Sequence, residues 1–429
     1  MKKKYRIILY TSIFLLCVVA SIILVVKKSN SVYEEESKPK VVKHKSMLSM
    51  NLEQTAGAGD YKTVTQSKWP TEGYKFNAEL SRCENGSTLS WDDTKKAVIV
   101  SGNLSDKCYV YFDIYQPTLA EYIKSQYTGT QGENNIYYHD SDLANGAGDN
   151  SYRYAGANPN NFVCFGTTES PCPTDNLYRI IGVFGENYHG VTGKQLVKLI
   201  KYDYMTTDEL GTDGDYSQTY KEWGMDSTYK GTYGDGERIG VYYWNYKATG
   251  SATNTWSTSL LNKTNLNTNF INNIGTTWAN KIATVTWKVG GNTWANIGTK
   301  TSSVAYTNEI TNPVTTNTTD NATTYSAKIG LMYVSDYGFA ASPDAWTLTM
   351  SSYNNTTATN NNWMYMGLYE WTISRNADLS DGAFIVYGGG SVGGDGVDGN
   401  DGVRASFNLE SSVSYVSGSG SMSDPIVIN

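Results

Sequence analysis

Apolar and polar positions fall into distinct patterns along the chain. From Ile7 to Val26 the segment "IILYTSIFLLCVVASIILVV" carries no charge and has about the twenty apolar residues that a helix needs to cross a bilayer. Between Thr71 and Gln116, "YKFNAELSRC", "KKAVIVS" and "KCYVYFDIY" alternate apolar with polar residues, with "ENGS" and "WDDTKK" as turns, which predicts a small β-domain. Thr118 followed by Glu121 has the capping-box spacing and predicts a short helix over "TLAEYIKSQY". "NLYRIIGVF" and "QLVKLIKYD" predict a hairpin. Leu266, Phe270, Ile271 and Ile274 follow helical spacing. The Thr/Asn-rich stretch 299–326 reads as a surface insertion. In the last hundred residues, "IGLMYVS", "LYEWTIS", "AFIVYGG", "VRASFNL" and "DPIVI" predict an antiparallel sheet that ends at the C-terminus.

These patterns divide the 429 residues into a cytoplasmic N-terminus and uncleaved transmembrane signal anchor over 1–28, a linker over 29–70, the β-domain over 71–116 and a large domain over 117–429. Cleavage as a signal peptide after Ala20 would leave the apolar stub "SIILVV". Lys2, Lys3, Lys4 and Arg6 precede the span, which places the N-terminus inside and the bulk of the chain outside the cell. Outside the span, Cys83, Cys108, Cys164 and Cys172 form an even set. Neighbour pairing, Cys83 with Cys108 and Cys164 with Cys172, is the simplest of three arrangements. A zinc site would need closely spaced CxxC pairs, which the chain lacks. The formal charge of -7 offers no basic stripe for nucleic acid.

Candidate chemistry gathers near the C-terminus. "GGDGVD" at 393–398 matches the start of a calcium-binding nonapeptide, but Asn400 stands where a large apolar residue should stack. Asp395, Asp398 and Asp401 are therefore weak calcium candidates, and no other cofactor is implied. Arg375, Tyr387, Asp395, Asp398, Asn400 and Asp401 are the candidate ligand contacts, as planar and polar groups around a glycine-rich loop. Trp371 reads as core and Arg404 as a buried ion-pair partner. With three histidines and neither HExxH nor GxxxxGK[ST] present, the common metallohydrolase and nucleotide readings are removed.

The block "NNWMYMGLYEWTISR", the Gly-rich loop, "GVRASFNL" and the terminal "DPIVI", together with "SYRYAGANPNNFVCFG", "CPTDNLYRIIGVF" and "WSTSLLNKTNLNTNF", resemble uncharacterised bacterial surface proteins. Those blocks in turn resemble the C-type-lectin-like fold in its formylglycine-generating-enzyme branch. No cysteine follows Cys172, so the catalytic cysteines of that branch are missing, and the EPN, QPD and WND signatures of calcium-dependent lectins are absent. The resemblance, which spans about 117–429, implies a lectin-like domain with a mostly antiparallel sheet and short helices; with the transmembrane helix and the disulfide-stapled β-domain read from the residues, the chain is expected to be α+β. The resemblance also puts the 388–402 loop on the ligand face. The function expected is a membrane-anchored, non-enzymatic, adhesin-like protein that binds an extracellular glycan or protein. A structural envelope or stalk protein and a secreted carboxylate-dependent glycan hydrolase are the alternatives.

Overall fold

The computed structural model describes residues 48–65, 68–70, 73–213, 216–219, 229–233, 239–313, 322–354 and 356–429. The chain divides into two compact units, 1–115 and 116–429. The predicted anchor over 7–26 lies outside the described residues. Among the described residues no helix is long and apolar enough to cross a membrane.

The first unit is built on the strand Cys108–Ile114, which pairs with three others, Leu48–Glu53, Tyr74–Phe76 and Arg82–Cys83, while Tyr61–Val64 pairs with Leu48–Glu53. Leu48–Glu53 runs parallel to it. Met50, Leu52, Val110 and Phe112 form the core, with Trp69 and Trp91 against the Phe112 ring. Part of the stretch 29–70 expected as linker is thus sheet, because "LSMNLE" supplies the apolar alternation that a strand needs beside Val110 and Phe112. Cys83 and Cys108 are direct strand partners and form a disulfide. A core this small gains stability from the crosslink.

The second unit holds two large sheets. Its seven-stranded sheet runs Ile329–Gly330, Ser406–Asn408, Leu196–Lys201, Leu177–Phe184, Ser151–Tyr154, Ile136–His139, with Phe162–Cys164 also on Leu177–Phe184. The predicted hairpin is present as Leu177–Phe184 against Leu196–Lys201, and every residue of both strands is buried. The six-stranded sheet runs Tyr216–Thr219, Gly240–Tyr242, Asp401–Gly402, Glu370–Arg375, Gly382–Val386, Val392–Gly396. Glu370–Arg375 and Asp401–Gly402 are parallel there. Thr118 and Glu121 form the capping box of the helix Leu119–Ser125. The helix predicted around Leu266 and Phe270 is present, broken at Gly275, whose φ of 76° no helical residue adopts. Cys164 and Cys172 form the second disulfide.

The expected fold class is therefore corrected. In place of a lectin-like domain with one mostly antiparallel C-terminal sheet, the described residues form mixed sheets with 21% helix, and none of their helices is long and apolar enough to cross a membrane. The five predicted C-terminal strands are shared among three sheets, and "IGLMYVS" gives only Ile329–Gly330 before the helix Val334–Ala340 begins. The cause is local: the Asp336 carboxylate accepts the Tyr333 N–H at 3.0 Å and caps that helix. The stretch 299–313 is not a surface insertion either, since Ser302, Tyr306, Glu309 and Ile310 are buried; residues 314–321 lie outside the described residues.

Candidate functional site

The glycine-rich segment is half strand. Val392–Gly396 pairs with Gly382–Val386, placing Asp395 opposite Ala383, and Val392 and Val397 are buried beneath it. Tyr387 lies across this strand and donates to the Gly394 carbonyl at 3.1 Å. A Cβ on Gly393 would strike the Tyr387 ring, so a larger residue there would have to displace Tyr387. Tyr369, 44% exposed, packs edge-on against Tyr387 at 5.3 Å.

The sequence-predicted contact residues do not all share this surface. Asp395 and Asp398 are exposed, while Asn400 and Tyr387 are half-buried. Asp401 is buried, and burial first, with Asp395 second, pushes its carboxyl up to about 7. Arg375, expected as an exposed group, is only 1% exposed within the six-stranded sheet, and burial lowers its guanidinium to about 10. Asp395, Asp398 and Asp401 do not gather into a group able to hold a metal ion, and the described residues contain no such group. The three aspartates therefore do not fit calcium, because one carboxylate is turned into the protein and two face outward. Trp371 is buried, and Arg404 makes a two-pronged ion pair with Glu370 at 2.7 and 2.9 Å.

A cavity of about 460 Å³ lies elsewhere in the second unit. Its wall comes from the loop 157–160, from Phe162, Arg179, Tyr202 and Lys230, and from the stretch 360–366. The isolated bridge between Gly156 and Asn362 and the Trp363 indole, which donates to the Tyr154 carbonyl at 2.8 Å, hold the two loops together. Phe162 and Arg179 are cross-strand partners. The Arg179 guanidinium therefore sits between two aromatic faces, 4.3 Å from the Phe162 ring and 4.7 Å from the Trp363 ring.

Arg179 is 6% exposed and donates to the Asn161 side chain at 2.7 Å and the Pro159 carbonyl at 3.1 Å. No described carboxylate lies within ion-pair distance of it. Burial lowers it to about 9, so it stays charged at neutral pH. Lys230 donates to the Thr359 carbonyl at 2.8 Å and lies 4.5 Å above the Tyr365 ring. Tyr365 in turn donates to the Gly388 carbonyl at 2.6 Å, which ties the cavity wall to the start of the glycine-rich segment.

The described lining thus offers two cations, four aromatic rings and the amides of Asn158, Asn160 and Asn360. It contains no carboxylate, histidine, serine or cysteine among the described residues. Sequence reasoning missed Arg179, Lys230 and Trp363 because they lie far apart along the chain. The local signal was the paired Asn-rich loops "GANPNN" and "NNNW". Compared with protein-family models, curated proteins and solved structures, the chain matches none. The resemblance of its sequence blocks to bacterial surface proteins rests on those blocks alone.

Proposed function

We propose that the chain is a binding protein that works outside the cytoplasm, at the cell surface, and takes an acidic glycan in the cavity around Arg179 and Trp363. The observation that carries this reading is a buried, charged guanidinium on the cavity wall with no described carboxylate to neutralise it. A ligand carboxylate would offset the cost of that burial. Phe162, Tyr202, Trp363 and Tyr365 add apolar faces of the kind on which sugar rings pack, and the asparagine amides add hydrogen-bonding groups. The volume suits one or two sugar units. The lack of a carboxylate pair in the described lining favours binding over hydrolysis. Two disulfides suit an oxidising compartment. The exposed Tyr369 and the half-buried Tyr387, beside the Gly388 carbonyl that holds Tyr365, offer a second contact for a longer chain.

The test is a glycan array that carries uronic-acid and sialic-acid saccharides beside their neutral counterparts, probed with the full chain and with Lys230→Glu. Retention of acidic saccharides by the wild type, and their loss in the variant, is the expected result. Retention of neutral saccharides alone, or equal binding by both proteins, would refute the acidic-glycan reading.

A further inference from the structure

The second unit contains a charged cluster, away from the cavity, that ligand binding does not use. Lys198, on the strand Leu196–Lys201, and Asp336, on the helix Val334–Ala340, are both fully buried. The Lys198 Nζ lies 2.7 Å from Asp336 Oδ2. Around the amine stand the rings of Tyr333, Tyr188 and Trp287, at 4.4, 4.9 and 5.0 Å. The Tyr188 hydroxyl bridges the pair, accepting from Nζ at 2.7 Å and donating to Asp336 Oδ1 at 2.6 Å. The Tyr333 N–H donates to Asp336 Oδ2 at 3.0 Å. Burial lowers the Lys198 amine below the ordinary lysine value.

We propose that Lys198 and Asp336 condense into an intramolecular amide that covalently joins the Leu196–Lys201 strand to the Val334–Ala340 helix. Transfer of one proton from the ammonium to Oδ1, relayed by the Tyr188 hydroxyl that bridges the two, leaves a neutral amine beside a carboxylic acid. The amine lone pair forms a bond to Asp336 Cγ, and the negative charge that develops on Oδ2 meets the Tyr333 N–H. Tyr188 is the catalytic residue: its oxygen accepts a proton from Nζ while its own proton passes to Oδ1. The Cγ–Oδ1 bond then breaks, Oδ1 leaves as water, and the Oδ2 carbonyl reforms. One ammonium and one carboxylate become one amide and one water, so no oxidant or co-reactant is needed. Arg153, whose Nη1 lies 3.8 Å from Oδ1, is a further charged neighbour of the carboxylate. The link would close a loop of 138 residues and would hold even when the unit unfolds.

Tryptic mass spectrometry of the reduced, alkylated full chain tests the proposal. Acylated Lys198 resists trypsin, so the expected product is peptide 195–201 joined to peptide 329–375, lighter than their sum by one water, about 18 Da. Fragmentation separates this link from dehydration within one peptide. Lys198→Arg abolishes the pair, and Tyr188→Phe lowers the linked fraction at early times after synthesis. Complete cleavage after Lys198, with an unmodified 329–375 peptide, would overturn the proposal and leave the two residues as an ion pair only.

Discussion

Replacing Asp401 with Asn probes how the glycine-rich segment is built. The residue is 2% exposed, and its Oδ2 finds no hydrogen-bond partner among the described residues. Its carboxyl is raised from 3.8 to about 7 by burial, with Asp395 adding to the effect. A raised acid holds its proton more tightly in the folded chain than in the unfolded one. Its stabilising contribution is therefore full below about pH 4 and lost as the pH rises through about 7. A difference of about 3 units, at about 1.36 kcal/mol each, sets a ceiling of about 4 kcal/mol. Relaxation and water entry bring the expected loss to about 1–3 kcal/mol between pH 5 and pH 8. Asparagine has nearly the same shape and cannot ionise. The variant should match the wild type within about 1 kcal/mol at pH 5 and exceed it by about 1–3 kcal/mol at pH 8. Urea unfolding followed by tryptophan fluorescence at the two pH values measures this, read on the transition of the 116–429 unit with an unchanged slope. A variant less stable than the wild type at pH 8 would refute the reasoning, since it would mean that the ionised carboxylate is held by a partner or a cation.

Other perturbations test neighbouring parts of the account. Glu370→Gln leaves the Arg404 guanidinium buried and uncompensated, at a cost of about 3–5 kcal/mol, whereas Glu370→Leu with Arg404→Met should cost less than the single change; denaturant midpoints that rank the two in the other order would contradict the pairing. Joint replacement of Cys83 and Cys108 by serine opens a closure of 25 residues and should destabilise the first unit by about 3 kcal/mol, seen as a lower melting temperature for that unit alone. Reduction of the wild type should reproduce the same shift.

Much of the architecture was written in local patterns. The Thr118–Glu121 box, the Leu177–Lys201 hairpin and the burial of Trp371 and Arg404 all depend on residues a few positions apart or on simple alternation, and each is present. Errors arose where short signals sat beside contrary composition. Leu48, Met50 and Leu52 alternate as a strand, but the charge run before them reads as linker. "IGLMYVS" reads as a strand to its end, while the Asp336 cap starts a helix at Val334. Arg375 illustrates a different limit, because strand alternation gives a face and does not say whether another layer covers it. The cavity is harder still: Arg179 and Trp363 meet through pairing between segments about 180 residues apart, a relation no local window contains.

The central claim is that a ligand carboxylate meets Arg179 and Lys230. Titration calorimetry of the full chain with a uronic-acid disaccharide and with its neutral, carboxyl-reduced counterpart tests it most directly, at low and at high salt. The account predicts binding of the acidic sugar that weakens as salt rises and drops about tenfold or more in Lys230→Glu, with little or no binding of the neutral one. Equal affinity for the two sugars, or acidic binding indifferent to both salt and the Lys230 change, would contradict it.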